Sequence, residues 1–294
     1  MNYFIKIIFI ALWSPLAFAI APYIAGDKLA PGEVKTLAAQ VESKLQAEGF
    51  KVVGKHFPRS LPQHAVVIVT HNPVLDAIQK LGGSSIVNAG IRVGVKSDGT
   101  VSYINPEYWQ RAFFRQQYSD ELAKELQQKL GKALGTGKHF GGDEPASDLV
   151  NYRYMVGMEK FESNKNELHA FGSFEQALKA VQGNLAKGVN HTAKVYEVIM
   201  QDKKLAVFGV AFNEAKTGEG WWVKRVGADN IAAVPYEMYI VGNKVYALYG
   251  RYRIAVGWPA LGMGTFMGIS DAPDIILESL TDVAGGVYEK SSAF

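Results

Sequence analysis

The sequence predicts an α+β protein: two related α/β sandwich domains, helices packed on mixed or antiparallel sheets, and a pseudo-two-fold internal repeat. Three observations predict it. Amphipathic segments with helical spacing alternate with short β-branched runs and tight turns, the pattern of helices laid on a sheet. The order also recurs. Residues 66–72 (VVIVTHN), 91–95 and 101–103 in the first half answer to 207–213 (VFGVAFN), 236–240 and 245–246 in the second, where one loop is slightly longer. Finally, 294 residues with 48% apolar and 20% charged side chains suffice for two cores and fit neither a disordered chain nor a multi-span membrane protein.

Taken in order, the chain opens with Lys6, an apolar run over 7–12 and Ala17-Phe18-Ala19 as a small-x-small site, which together read as an export signal over 1–21. Cleavage is expected after Ala19. Pro15 falls where a spanning helix of about 20 residues would have its middle, and an uncleaved anchor is the alternative. A periplasmic or secreted location follows. Within 22–134, taken as the first repeat domain, Val34, Leu37, Ala38, Val41 and Leu45 mark one helical face that Gly49 stops. Residues 50–57 and 64–70 read as strands, 73–81 as a short helix and 82–85 as a loop. A hairpin forms around Asp98-Gly99, and Pro106 opens helical material to Leu134.

Residues 135–150, rich in glycine, are the expected linker, and 151–294 the second repeat domain. Residues 152–161 read as a strand. Ser173 is an N-cap candidate for a helix carrying Phe174, Ala177, Leu178, Val181 and Leu185 and ending near Gly188. Strands follow over 193–200 and 205–212, then a loop over 213–220, a hairpin about Gly242-Asn243, an extended continuation through 249–254 and a final helix over 273–283.

Gly49-Phe50-Lys51-Val52, Asn72-Pro73, Asp98-Gly99 and Asn105-Pro106-Glu107-Tyr108, in that order, resemble domain-of-unknown-function family 302 over about two thirds of the chain. In the second half Asn213 is followed by Glu214, and Tyr249-Gly250-Arg251-Tyr252 stands where Asn105 to Tyr108 stood, a departure from the pattern. The resemblance implies a compact α/β sandwich, often exported, sometimes paired with a second copy, and no agreed activity.

Several chemistries are excluded. The chain has no cysteine, so it has no lipoprotein anchor, disulfide, thiolate nucleophile or thiolate metal site. Its net charge of +3 is spread along the chain without the basic stripe that nucleic acid requires. The six histidines form no i, i+4 pair, and His64 and His71 point to opposite faces of one strand, so no metal site is expected. Gly135-Thr136-Gly137-Lys138 lacks the spacing of a phosphate loop, and no G-x-S-x-G elbow occurs. No cofactor is expected.

What remains is an aromatic and arginine-rich stretch: Trp221, Trp222 and Arg225, then Tyr246, Tyr249, Arg251, Tyr252, Arg253 and Trp258, of which Trp221, Trp222, Tyr249, Arg251 and Arg253 are the binding candidates. Guanidinium groups beside aromatic rings suit an anionic or planar ligand. On an extended strand Tyr249, Arg251 and Arg253 share a face; ordinary pairing with Glu219 or Glu237 is the alternative. Asn72 and Asn213 recur at one repeat position, as turn formers or ligand contacts. The sequence therefore predicts an exported, non-enzymatic binding or assembly module that engages a protein partner, a second copy of itself or a small anion. Two alternatives stand beside it. One is an enzyme acting on a small anionic substrate at the inter-domain cleft, with Arg251 and Arg253 orienting it and Glu219 as base; the other is a peripheral subunit of a membrane complex.

Overall fold

The computed structural model describes residues 19–289, so the expected export segment lies outside the described residues except for Ala19, Ile20 and Ala21. The chain enters through β1 (Ala19–Ile20) and β2 (Tyr23–Ala25), then α1 (Val34–Ala47), β3 (Lys51–His56), β4 (His64–Thr70) and α2 (Asn72–Leu81). A 3-10 segment, Gly83–Ala89, leads into β5 (Ile91–Lys96), β6 (Val101–Ile104), α3 (Pro106–Phe114) and α4 (Asp120–Leu134). The glycine-rich stretch holds β7 (His139–Phe140), β8 (Glu144–Pro145) and the single turn α5 (Ala146–Leu149). Next come β9 (Glu167–Ala170), α6 (Phe174–Lys187), β10 (Thr192–Met200), β11 (Leu205–Phe212) and α7 (Glu219–Val226). A second 3-10 segment, Ala228–Ala233, precedes β12 (Tyr236–Val241), β13 (Lys244–Ala247), α8 (Gly250–Gly257), α9 (Met263–Met267) and α10 (Ala272–Ala284).

The fold is α+β with antiparallel sheets. One sheet runs β3-β4-β5-β6-β2-β7 and the other β10-β11-β12-β13-β9, while β1 pairs with β8. Both sheets are threaded alike: a strand that ends beside the hairpin, a helix, two strands, a helix, a 3-10 segment, the hairpin and a further helix. Local chemistry explains the helix ends. The Glu33 carboxylate accepts from the Thr36 amide at 2.8 Å, Ser173 Oγ from the Gln176 amide at 3.2 Å, and Gly188 closes α6 in the left-handed region.

Helix α1 lies across the first sheet and α6 and α10 across the second. The opposite faces meet each other through crossed 3-10 segments: Gly83–Ala89 packs on β11 and β12, and Ala228–Ala233 on β4, β5 and β6. Covered on both faces, β4 and β11 are buried along nearly their whole length, which is why both read as unbroken apolar runs. At the sheet edges β3 meets β10 so closely that a Cβ on Gly54 would lie 2.4 Å from the Val195 carbonyl oxygen. One cluster of buried apolar side chains runs through both halves. Among the described residues no helix is long and apolar enough to cross a membrane.

Four expectations are corrected. Residues 152–161 form turns instead of a strand, and the strand of that region is β9. The loop 82–85 is the start of a 3-10 helix. Trp221 and Trp222 stand on helix α7, which begins inside the stretch read as a loop. The extended continuation through 249–254 is helix α8, so Tyr249, Arg251 and Arg253 do not share a strand face. The stretch expected as a linker contributes β7 to the first sheet and β8 as the partner of β1.

Candidate functional site

Helix α8 organises the candidate site because its two sides do different work. Its inner side carries Arg253 into the junction of the halves. The Arg253 guanidinium donates to Glu237 through Nε at 2.8 Å and Nη2 at 3.1 Å, and to the Ala233 carbonyl at 2.7 Å. Arg92, on β5 of the first sheet, donates to the same carboxylate and, at 2.9 Å, to the Ala232 carbonyl. Both guanidinium carbons stack on the Trp109 ring, at 4.5 and 4.9 Å from its centroid.

Burial pulls the Arg253 pKa down, but the charge and hydrogen bonds of Glu237 more than compensate and leave it raised. For Arg92 burial wins: Glu237 offsets it only in part and the Arg253 charge adds to the lowering. Both remain cations at any pH at which the protein folds. First-half side chains also fix the end of α8. Tyr23 Oη donates to the Gly257 carbonyl at 2.7 Å and Tyr108 Oη to the Val256 carbonyl at 3.0 Å, which satisfies acceptors that a helix end leaves open.

The outer side of α8 presents Arg251, Ile254, Ala255 and Trp258, spaced three and four apart as one helical face requires. They floor a cavity of about 450 Å³. One wall is the turn segment with Tyr152, Arg153, Tyr154, Met155 and Met158; the other comes from Pro259, Leu261, Met263 and Phe266 in and before α9. Glu144 of β8 also lines it, and burial and the neighbouring Asp148 raise its pKa from the ordinary value. Neither Arg251 nor Arg153 is ion-paired with a carboxylate among the described residues; Arg251 rests 5.8 Å from the Tyr249 ring. An apolar, concave site of this size with a few charged groups at its rim is the usual form of a small-molecule pocket.

Of the binding candidates that the sequence names, Arg251 alone lines this cavity, joined by Trp258 from the same aromatic stretch. Arg253 is buried and fully engaged, so it is the Glu237 pairing that holds, in the interior and not on a solvated face. Trp222 is buried edge-on against Trp258, with ring centroids 5.2 Å apart, and so backs the cavity floor from behind. Trp221 is half-buried under the Arg225 guanidinium. Tyr249 precedes α8, takes the Asn166 side-chain oxygen on its amide and lines a separate cavity with Lys165 and Tyr288. Asn72 is exposed at the start of α2, and Asn213 follows β11 with its amide donating to the His191 carbonyl. Glu219 is buried 2.5 Å from His56 Nε2, so the base and the second arginine of the enzyme reading belong to two different internal pairs.

The cavity walls were missed because 152–158 read as strand. The available signal was composition: Met155, Met158, Met263 and Met267 occupy two short stretches, spaced three and four apart, in a chain of seven methionines. Comparison of the chain with protein-family models, curated proteins and solved structures returns no match.

Proposed function

We propose that the protein is an exported, non-enzymatic binding module made of two copies of one unit, of the kind its sequence resembles, and that its ligand is a small anion with an apolar body. The observation that carries the ligand class is Arg251: a half-buried guanidinium on the floor of an apolar cavity, ion-paired with no carboxylate among the described residues. A cation so placed is costly to desolvate without an anion and orients one strongly when it arrives. The methionine, leucine and phenylalanine walls receive the ligand's apolar part, and methionine adapts to irregular chains. The common order of elements in the two halves supports the duplicated unit.

Calorimetric titration with dodecanoate, dodecanol and butyrate tests the reading. Dodecanoate binds, while dodecanol, which lacks the charge, and butyrate, which lacks the apolar body, bind at least tenfold more weakly. Arg251→Gln removes a charged hydrogen bond of about 1.5–3 kcal/mol, a loss of roughly ten- to a hundredfold in affinity. Equal binding of dodecanoate and dodecanol would overturn the reading.

A further inference from the structure

We propose that the lip of the α8 cavity docks on an anionic lipid bilayer, from which the cavity takes its amphiphile; the proposal rests on the ligand reading above. Four of the seven large apolar side chains left exposed among the described residues stand in the two segments that wall this cavity: Met155 (43%) and Met263 (59%) in its lining, and Val156 (94%) and Met267 (63%) next to lining residues in the chain. Such a concentration marks a surface that meets something apolar.

Its form selects a bilayer over a folded protein. The four residues lie in two separate short segments that line one concave opening, the first carrying Gly157 and the second Gly262, Gly264 and Gly268. A protein interface offers a continuous packed core rich in tyrosine and tryptophan, whereas the exposed large apolar side chains here are aliphatic, Tyr152 and Trp258 being buried and Tyr154 half-buried. Two narrow aliphatic tips suit insertion between lipid headgroups, where aliphatic side chains reach the acyl boundary.

Charge agrees with this choice. Arg153 is exposed next to Met155, Arg251 lies on the floor below it, and neither is paired with a carboxylate among the described residues. Lipid phosphates supply the missing anion, and basic groups at such a surface add to binding. Glu144 is the one carboxylate of the cavity lining, set against two arginines.

The absence of cysteine makes the test clean, because each introduced thiol is unique. Val156→Cys and Met267→Cys, with Lys179→Cys on α6 as control, are made in the full chain. Each is labelled with an environment-sensitive fluorophore and mixed with vesicles of phosphatidylglycerol and phosphatidylcholine, or of phosphatidylcholine alone. The expected result is a blue shift and several-fold shielding from iodide at 156 and 267 on the anionic vesicles, a much weaker response on the neutral ones and none at 179. Arg153→Gln in the Val156→Cys background reduces the response. Labels at 156 and 267 that stay accessible to iodide on vesicle-bound protein would overturn the docking, as would an equal response at all three sites, which means a different orientation. Capture of the chain by another protein through the lip, with no vesicle response, overturns it too. Dodecanoate titration without vesicles is scored separately. A lip that inserts in a protein that binds no dodecanoate sinks the ligand reading alone.

Discussion

Glu237→Gln is the sharpest test of what holds the halves together. The substitution preserves shape and removes one negative charge, which leaves Arg92 and Arg253, each about 1% exposed, side by side at Trp109 without a counter-ion. Breaking a buried ion pair by deleting one partner costs about 3–5 kcal/mol, because the surviving charge stays desolvated. A chain of this length loses roughly 2–4 °C of unfolding midpoint per kcal/mol, so the midpoint falls by about 10 °C. Scanning calorimetry, with tryptophan fluorescence reporting on Trp109, reads the change. Arg92→Met added to Glu237→Gln recovers part of the loss, since one of the two stranded cations is then gone. A midpoint within about 2 °C of the parent, or a double variant worse than the sum of the singles, refutes the reasoning: the guanidiniums would then be satisfied by the Ala232 and Ala233 carbonyls alone.

Three further outcomes follow from the geometry. Glu144 has a raised pKa, so lowering the pH toward it from neutrality removes the one negative charge of the cavity lining and tightens binding of dodecanesulfonate, whose own charge does not titrate there; Glu144→Gln flattens that dependence, and a dependence unchanged in the variant counts against the assignment. Gly54→Ala pushes a methyl into the Val195 carbonyl where β3 meets β10 and costs about 1–3 kcal/mol in urea unfolding, whereas Gly183→Ala, with open space on α6, is neutral or stabilising. His64 and His71 are both lowered by burial, the neighbouring Lys96 adding to the effect at His64 and Lys129 at His71. Their folded forms bind protons less readily than the unfolded chain, so stability is lost as the pH falls below about 6.5. A His64→Gln, His71→Gln double variant shows a shallower loss in urea titrations, and an equal slope would dismiss the two histidines as the cause.

The parts of the fold legible in the sequence are those whose burial is one-sided or complete. Val34, Leu37, Ala38, Val41 and Leu45 fall on one face of α1 and all are buried, so spacing alone gives the helix. The strands β4 and β11 are sandwiched between layers and read correctly as continuous apolar runs. Helix α8 was unreadable for the opposite reason. In Gly250-Arg251-Tyr252-Arg253-Ile254 polar and apolar residues alternate as on a strand, because this helix has no dry side and wet side: one arginine enters a buried ion cluster and the other a cavity.

The same physics explains why one site residue was found and its surroundings were not. Arg251 is recognisable by type, because a guanidinium among aromatic residues is unusual wherever it stands. Its partners are recognisable only by position. One wall of the cavity comes from turns over 152–158, far up the chain from α8, and the other from the turn and short helix over 259–266 that follow it, where no long periodicity records which side chains converge. What sets them in place is tertiary. Tyr152 packs edge-on against Tyr252 at 5.8 Å, and Trp258 Nε1 donates to the Gly227 carbonyl at 2.9 Å, so both walls are pinned to the elements that carry the buried cluster. The cluster on the inner side of α8 is therefore what keeps the outer side rigid enough to present a preformed cavity. It follows that Glu237→Gln, far from any ligand contact, weakens dodecanoate binding even at temperatures where the variant is fully folded. Titration at 10 °C below its midpoint decides the point, because a purely structural role for the cluster leaves the affinity of the folded fraction unchanged.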